Sequence, residues 1–316
     1  MWNDALCYQQ YGAPETVLVL HHLSLPPLAP GLVRVQMRYA PVNPSDLIPI
    51  TGAYRHRTTL PSVAGYEGVG VVVEDSTNGR PLLGQRVLPL RGAGTWQRYL
   101  DIDPRWLVPV AEDIDDILAA RGYINPLTAM LMLTRWPVAG KQVLLTAASS
   151  SCASLLGQWA LAMGARSVSG IIRSPQHIAR LQQYGVYPLL EGDRALIEQV
   201  SQYSDLVFDA VGGELANFLL AVLPQTSTLV SYGLLSGKPL TQTRGCAAVR
   251  KFHLREALPT LSVDAWQAAF AGIWRQLPTT AQPAAQVIKL CDWREAITAA
   301  GQPGRGGKIL LDFTAG

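Results

Sequence analysis

The sequence predicts an α/β protein in which a β-rich domain is combined with a doubly wound parallel sheet. Residues 1–120 contain short, partly alternating apolar runs divided by turns rich in proline and glycine, which is typical of β-strands. From about residue 121, short apolar runs alternate with helical segments, which indicates βαβ units. After residue 255 the pattern is mixed and ends in a strand-like run at 306–313. We therefore predict a β-rich domain from 1–120, an α/β domain from 121–255, and a segment from 256–316 that completes the first domain.

The composition excludes several classes of protein. With 316 residues, 48% of them hydrophobic, the chain is long enough to bury the cores of two domains. Its net charge of +3 is scattered along the chain, so we expect no nucleic-acid partner. No apolar stretch reaches the length of a membrane span, so we expect no membrane association. The four cysteines lie far apart, which predicts reduced thiols in a cytoplasmic protein.

The order of elements in the α/β domain follows from its apolar runs. Residues 141–148 predict a buried first strand, residues 155–163 a helix, and residues 167–174 a second strand. A further helix is expected to begin at Pro175 and to end at Gly185, since proline favours the first helical position and glycine the last. Two more strands are expected at 205–213 and 227–233, separated by another helix.

The loop between the first strand and its helix raises the main question. The stretch TAASSSCASLLGQWALAMG, residues 146–164, lies where a dinucleotide-binding protein carries G-x-G-x-x-G. A helix N-terminus binds anions through free N–H groups and its dipole, so such a loop still binds phosphate if its backbone angles are ordinary. The alternative is a serine-rich cap on an ordinary helix. The three glycine positions hold Ala148, Ser150 and Ala153.

The end of the second strand predicts the cofactor. In doubly wound nucleotide sites this position meets the adenosine ribose, where an acidic residue suits NAD and an arginine suits the 2′-phosphate of NADP. Arg173 occupies this position and Ser174 follows it. Guanidinium groups form charge-assisted bonds to phosphate, so we predict NADPH, with an ordinary surface arginine as the alternative.

Seven motifs in order along the chain resemble a known family. They are PVNPSDLIPITGAY at 41–54, LPSVAGYEGVGVV at 60–72, GTWQRYL at 94–100, INPLTAMLML at 124–133, IIRS at 171–174, FDAVGG at 208–213 and LVSYGLLS at 229–236. The chain resembles the zinc-independent medium-chain dehydrogenase/reductase superfamily, and within it the 2-enoyl thioester reductases of the trans-2-enoyl-CoA type. This resemblance implies a chaperonin-10-like catalytic domain, a Rossmann NADP-binding domain and a homodimer.

The resemblance also implies roles for individual residues. Tyr54 matches the proton donor of the family, and a neutral phenol is suited to delivering a proton beside a developing enolate. Trp96 is expected to help line the acyl or pantetheine channel. The residues that match the family's cofactor contacts are Asn43, Asn125, Thr128, Ser149, Ser150, Ser151, Cys152, Arg173, Ser174, Tyr232, Gly233, Leu234, Leu235 and Lys308.

The sequence departs from the family in two places and lacks the zinc ligands of related enzymes. The nucleotide loop lacks its glycines, and Ala257 and Leu258 replace a bulky aromatic pair, which leaves the shape of the acyl pocket open. Tyr66 stands where the zinc alcohol dehydrogenases have a histidine, and the 42–46 stretch has no cysteine. A catalytic zinc needs three protein ligands, so we expect no metal site.

The leading functional hypothesis is NADPH-dependent reduction of an activated C=C bond, most simply in a trans-2-enoyl thioester. Hydride would reach the β carbon and a proton the α carbon, while the protein orients the reactants and stabilises the enolate. An NADPH-dependent quinone or enone reductase on the same fold is the alternative. A non-catalytic relative that senses nucleotides is the second alternative, suggested by the altered loop.

Overall fold

The computed structural model describes residues 1–53, 55–56, 58–77, 79, 81–91, 94–241, 247–302 and 306–315. These residues form two compact units. Unit 1 comprises Met1–Ile124, Val263–Pro278 and Pro283–Gly316, and unit 2 comprises Asn125–Ser262 and Thr279–Gln282. The sequence placed the divisions near residues 121 and 255, whereas the second division lies after Ser262, because the mixed segment before it remains part of unit 2.

The strands and helices are numbered in chain order. The strands are β1 (Trp2–Tyr8), β2 (Val19–Ser24), β3 (Val33–Pro41), β4 (Ser62–Val63), β5 (Val69–Asp75), β6 (Arg86–Pro89), β7 (Tyr99–Ile102), β8 (Leu107–Pro109), β9 (Gln142–Leu145), β10 (Ser167–Ile172), β11 (Tyr187–Leu190), β12 (Leu206–Asp209), β13 (Thr228–Ser231), β14 (Ala248–Lys251), β15 (Ala285–Lys289) and β16 (Lys308–Asp312). The α-helices are α1 (Pro14–Val17), α2 (Pro44–Leu47), α3 (Asp116–Ala119), α4 (Ile124–Arg135), α5 (Ser151–Ala162), α6 (Ile178–Gln183), α7 (Arg194–Ser201), α8 (Gly213–Val222), α9 (Leu254–Ala257), α10 (Val263–Gln276) and α11 (Trp293–Gly301).

Unit 1 is built on two sheets. In its described part, the larger sheet has the order β15-β16-β3-β5-β6-β8, with β7 paired to β3, and the smaller has the order β2-β1-β4. Strand β3 pairs with β16 through Leu311 opposite Ala40, so the C-terminal strand is part of the larger sheet of unit 1. Helix α1 departs from the strand pattern predicted for residues 1–120. Pro14 begins this helix, since its fixed φ suits the first helical position.

Unit 2 is the doubly wound unit. The described strands form a parallel sheet in the order β11-β10-β9-β12-β13-β14. Strand order reverses between β9 and β12, and ligands of open α/β sheets bind beyond the carboxyl ends of the strands at such a switch point. All four residues of β12 are buried, as expected for a central parallel strand. The candidate site is therefore expected at the ends of β9, β10, β12 and β13.

A buried arginine joins three strands of unit 1. Arg34 on β3 lies opposite Glu74 on β5 and Asp101 on β7. Its guanidinium donates to both carboxylate oxygens of Asp101 at 2.7 and 2.9 Å, to Glu74 at 2.9 Å and to the Pro26 carbonyl at 2.7 Å. Only 3% of the Arg34 side chain is exposed. Because the charge is removed from water, its stabilising effect depends on this set of acceptors.

Replacing this arginine is expected to destabilise the protein. Arg34→Ala leaves two carboxylates without their donor and should lower the free energy of unfolding by roughly 2–3 kcal/mol, the contribution of hydrogen bonds to charged groups. Denaturant unfolding followed by circular dichroism measures this loss. Arg105→Ala removes a pair with Asp103 whose arginine side chain is 71% exposed, and it should leave the unfolding curve nearly unchanged. Equal losses in the two variants would contradict the argument.

Candidate functional site

The N-terminus of α5 presents free backbone donors. The chain leaves β9 at Leu145, and Ser150 caps α5: its Oγ accepts the Ala153 N–H at 3.3 Å and its carbonyl accepts the Ser154 N–H at 2.9 Å. Within the described ranges, no acceptor takes the N–H of Ser151 or Cys152. The first N–H groups of a helix have no intrahelical acceptor, and the helix dipole favours an anion beside them. This end of α5 is therefore suited to phosphate despite its missing glycines.

The loop before α5 does not keep ordinary backbone angles throughout. Ala147 has φ of +47°, in the left-handed region that favours glycine, whereas Ser150 has φ of −70°. The condition of ordinary backbone angles is therefore met at Ser150 but not at Ala147, one residue before the first glycine position that we assigned. A β-carbon in the left-handed region costs roughly 1–2 kcal/mol. The turn retains the backbone geometry for which glycine is usually selected, and it does so with an alanine.

Glycines elsewhere provide close packing beside the loop. A β-carbon on Gly157 in α5 would lie 2.9 Å from Val186 and 3.3 Å from Leu145 on β9. A β-carbon on Gly170 in β10 would lie 2.5 Å from the β-carbon of Ala148. Sequence reasoning missed both residues because neither lies at a fingerprint position. Their absent side chains allow α5 and the loop to approach the sheet, which is one purpose of the fingerprint glycines.

Several predicted cofactor residues meet next to α5. The Cys152 Sγ lies 3.9 Å from the Asn125 carbonyl, and the Tyr232 hydroxyl is buried beside the Cys152 thiol and Ser150. Burial raises the pKa of Cys152 to about 12. Burial, and then the charges of Cys152 and Asp209, hold the pKa of Tyr232 well above its usual range. Both groups therefore keep their protons at neutral pH, so neither serves as a nucleophile or a base.

Two cations lie near the end of β10. Arg173 follows the last residue of this strand and is exposed, and among the described residues it forms no ion pair. Ser174 caps the short 3₁₀ turn that follows. Arg180 on α6 donates to the Ser149 carbonyl at 3.2 Å and lies 3.3 Å from His177 Nδ1. Burial and the Arg180 charge lower the pKa of His177, so positive charge at neutral pH resides on the arginines.

A buried aspartate, which sequence reasoning did not single out, ties the loops after β9 and β12 together. Asp209 accepts from Thr146 Oγ1 at 2.7 Å and from the N–H groups of Val211 and Gly212, each at 3.0 Å. Thr146 Oγ1 in turn accepts the Ala210 N–H at 2.9 Å. Burial raises the pKa of Asp209, and its three donors oppose that shift. An acidic residue at the end of an apolar strand, in FDAVGG, is the sequence signal that could have identified it.

The loop after β13 is hydrogen-bonded to the loop after β12. Tyr232 N–H donates to the Asp209 carbonyl at 2.8 Å and Leu235 N–H to the Ala210 carbonyl at 2.9 Å. A β-carbon on Gly233 would lie 2.7 Å from that same Ala210 carbonyl, which explains the glycine. The side chains of Leu234 and Leu235 are exposed, so the predicted nicotinamide-side loop presents an apolar pair to solvent.

The remaining residues that we predicted for the site lie in unit 1, on α4 or outside the described residues. Tyr54 lies outside the described residues. Asn43 and Lys308 are buried together in unit 1, and Thr128 is buried on α4. Trp96 has no exposed surface, belongs to the hydrophobic core of unit 1, and donates through Nε1 to the Pro41 carbonyl at 3.2 Å. This burial corrects the prediction that Trp96 lines a substrate channel, because a side chain without accessible surface lines no open channel.

Among the described residues, no group of three or more His, Cys, Asp and Glu side chains is arranged to hold a metal ion. None of the described helices is both long and apolar enough to span a membrane.

The left-handed alanine allows a direct test of the loop geometry. Ala147→Gly should raise the free energy of unfolding by about 1 kcal/mol, because glycine adopts this φ without a β-carbon clash. Ala148→Gly is the matched control: this neighbour is buried and outside the left-handed region, so glycine there should be destabilising by about 0.5–1 kcal/mol. Thermal unfolding of both variants measures the difference. A less stable Ala147→Gly protein would show that the loop does not take this geometry.

The comparisons with known proteins agree with this architecture. Residues 29–112 match the family model of the alcohol dehydrogenase GroES-like domain. The mitochondrial enoyl-[acyl-carrier-protein] reductase of Rattus norvegicus is 31% identical over 323 residues, which cover 95% of this chain and 86% of the relative.

Two solved structures cover almost the whole chain. A putative NADPH:quinone reductase from Bacillus thuringiensis has a TM-score of 0.90 and 31% identity, and 99% of each chain is covered. The Candida tropicalis protein Etr1p, solved with NADP and crotonyl-CoA, has a TM-score of 0.83 and 21% identity, with 99% of this chain and 100% of Etr1p covered, which shows a shared fold. The chain is 31% identical over nearly its full length to a mitochondrial enoyl-[acyl-carrier-protein] reductase, and it has the two units described above. This chain therefore belongs to the zinc-independent medium-chain dehydrogenase/reductase family.

Proposed function

We propose that the protein is an NADPH-dependent oxidoreductase that reduces the activated C=C bond of a trans-2-enoyl thioester. The observation that carries this proposal is the pairing of free amides at the start of α5 with an exposed arginine at the end of the neighbouring strand β10. The relatives support the reaction class: one is named an enoyl-[acyl-carrier-protein] reductase and another a putative NADPH:quinone reductase.

The described residues of unit 2 suit the polar parts of NADPH. The N–H groups of Ser151 and Cys152, with the α5 dipole, suit its pyrophosphate. The exposed guanidinium of Arg173 and the hydroxyl of Ser174 suit a 2′-phosphate, and the residue that directly follows β10 is this cation and not the acid that suits NAD. These residues form two anion sites at neighbouring strand ends. NADPH carries an anionic group for each site, its pyrophosphate and its 2′-phosphate.

Further predicted contacts lie on both sides of this phosphate site. Asn125 and Thr128 on α4 are proposed to approach the ribose and nicotinamide, and the loop of Tyr232, Gly233, Leu234 and Leu235 is proposed to cover the nicotinamide side. Tyr232 contributes a hydroxyl that keeps its proton, so it acts as a hydrogen-bond donor. The exposed leucines contribute apolar surface, which suits a face from which water is excluded during hydride transfer.

The chemistry divides between the cofactor and the chain. When bound, NADPH supplies the hydride that adds to the β carbon of the enoyl thioester. The electron pair of the double bond moves onto the thioester oxygen, and Tyr54 is proposed to give its phenolic proton to the α carbon and to regain one from water. Donors that meet the developing enolate oxygen stabilise it electrostatically, which is how a protein contributes most to such a reaction.

A quinone or enone is the second candidate substrate. The observation that favours it is the Bacillus thuringiensis relative, named as a putative NADPH:quinone reductase. Steady-state rates with crotonyl thioester and with a small quinone separate the two substrates. An enoyl reductase has the higher kcat/KM for the thioester and depends on a proton donor.

Two other sequence predictions remain proposals. We propose a homodimer, and the Candida tropicalis relative is described as an Etr1p/Etr2p heterodimer. We propose a cytoplasmic location on the basis of the unpaired cysteines, whereas the Rattus norvegicus relative is named a mitochondrial protein.

Arg173 is expected to select NADPH over NADH. Arg173→Ala should weaken NADPH binding about 10-fold or more and leave NADH binding unchanged, because only NADPH carries the 2′-phosphate that a charge-assisted bond recognises. Titration by tryptophan fluorescence measures both affinities. Arg166→Ala is the matched control, since Arg166 is exposed just before β10 at the opposite end of the same strand. If Arg173→Ala weakens NADPH and NADH equally, Arg173 does not meet the 2′-phosphate.

Tyr54 is expected to affect turnover and not cofactor affinity. With crotonyl thioester, Tyr54→Phe should lower kcat about 10²-fold or more, within the usual contribution of a positioned acid, and leave the NADPH dissociation constant unchanged. Tyr203→Phe serves as the control because Tyr203 is exposed on the surface of unit 2. Unchanged turnover in Tyr54→Phe would remove this residue from the mechanism.

A further inference from the structure

A cluster of buried polar side chains surrounds Asn43 in unit 1. The Asn43 main-chain N–H donates to Asp46 Oδ2 at 2.8 Å, and its Nδ2 donates to Glu67 Oε1 at 2.8 Å. Its Oδ1 accepts from Lys308 Nζ. Each of the four residues is at most 4% exposed. We call these four residues the Asn43 cluster.

The charges of the Asn43 cluster do not balance if every group is ionised. Lys308 contributes one positive charge, whereas Asp46 and Glu67 would contribute two negative charges. Glu67 has donors for both oxygens, since Oε2 also accepts the Ile124 N–H at 2.6 Å. Asp46 Oδ1 is buried and has no hydrogen-bond partner among the described residues. A buried carboxylate oxygen without a donor is costly when charged, so Asp46 is the member that a proton would stabilise most.

We propose that Asp46 is a positioning residue that carries a proton, so that Glu67 and Lys308 form a charge-balanced pair that holds the Asn43 side chain in place. That this positioning serves cofactor binding rests on the proposed function and on the family resemblance, which matches Asn43 and Lys308 to cofactor contacts. The proton would keep the cluster neutral, and ionisation of Asp46 would place an extra negative charge beside Lys308.

The titration of Asp46 agrees with this assignment. Burial, followed by the charge of Glu67, raises the pKa of Asp46 to about 7, while Lys308 and the Asn43 donors oppose the shift. Among the described residues, Arg121 also interacts with Glu67 from outside the cluster, but the larger effect on Arg121 comes from Asp115, so we count Arg121 with Asp115 and not with the cluster. Because the folded pKa lies above the value of ~4 in an unfolded chain, the folded state binds more protons between these values. The contribution of Asp46 to stability is therefore fully present below ~pH 4 and is lost as the pH rises through about 7.

The first experiment measures thermal unfolding of the cofactor-free protein at ~pH 5.5 and ~pH 8. The parent protein should lose several degrees of Tm between these conditions. Asp46→Asn, which mimics the neutral acid, should lose clearly less. Asp264→Asn, an exposed control in the first turn of α10 in the same unit, should lose as much as the parent. An equal loss of Tm in Asp46→Asn and in the parent overturns the proposal.

A second variant keeps the test valid if Asp46→Asn does not fold. Glu67→Gln removes the other negative charge, so Asp46 can ionise opposite Lys308 and its folded pKa should fall. The loss of Tm between ~pH 5.5 and ~pH 8 should therefore be smaller in this variant than in the parent. An equal loss in the two proteins overturns the proposal.

The second experiment measures NADPH affinity by fluorescence at ~pH 6.5 and ~pH 8.5, on either side of the Asp46 pKa. The parent should bind NADPH several-fold more weakly at the higher pH, and Asp46→Asn should show little change. The same weakening in Asp46→Asn overturns the positioning role. If the Tm difference holds but the parent binds no NADPH at either pH, the proposed function fails while the protonated cluster stands.

Discussion

The site in unit 2 depends on one buried carboxylate at the point where strand order reverses. Asp209 accepts three hydrogen bonds, one of them from Thr146 at the end of β9 and two from the backbone that follows β12. A switch point brings two diverging loops side by side, and their backbone groups need partners once they are buried. The Asp209 side chain supplies those partners, and the Asp209 carbonyl also receives the Tyr232 N–H. The relative positions of three loops therefore follow from one residue.

The nucleotide loop shows that the roles of a glycine fingerprint can be divided among other residues. Ala147 adopts the left-handed backbone of the turn, while Gly157 and Gly170 provide close packing of the helix and loop on the sheet. The free amides at Ser151 and Cys152 arise from helix geometry alone and need no glycine. A motif search therefore fails here although the physical requirements of an anion site are met.

Unit 1 contains two clusters of buried charged side chains, and they are stabilised in different ways. Arg34 meets two carboxylates across neighbouring strands, where strand register places all three side chains on one face. The Asn43 cluster also has one basic group and two carboxyl groups, but there an amide joins the charged members. In both places a charge removed from water is stabilised only by directed hydrogen bonds. The difference is that the Glu74 and Asp101 side chains keep 38% and 24% of their surface exposed, so water solvates the excess charge, whereas Asp46 and Glu67 are each 1% exposed and a proton is needed instead.

The sequence by itself determined the alternation of strands and helices in unit 2, the helix between Pro175 and Gly185, and the position of Arg173 at a strand end. These features depend on periodicity and on capping residues, which are local properties. Tertiary structure alone decided that Trp96 is a core residue, that Ala147 takes a left-handed φ, and that Lys308 bonds Asn43. Asn43 and Lys308 are 265 residues apart in the chain, and no local pattern encodes which distant polar groups will be buried together. Those pairings follow from the packing of the sheets, since each buried polar group must find its partner there.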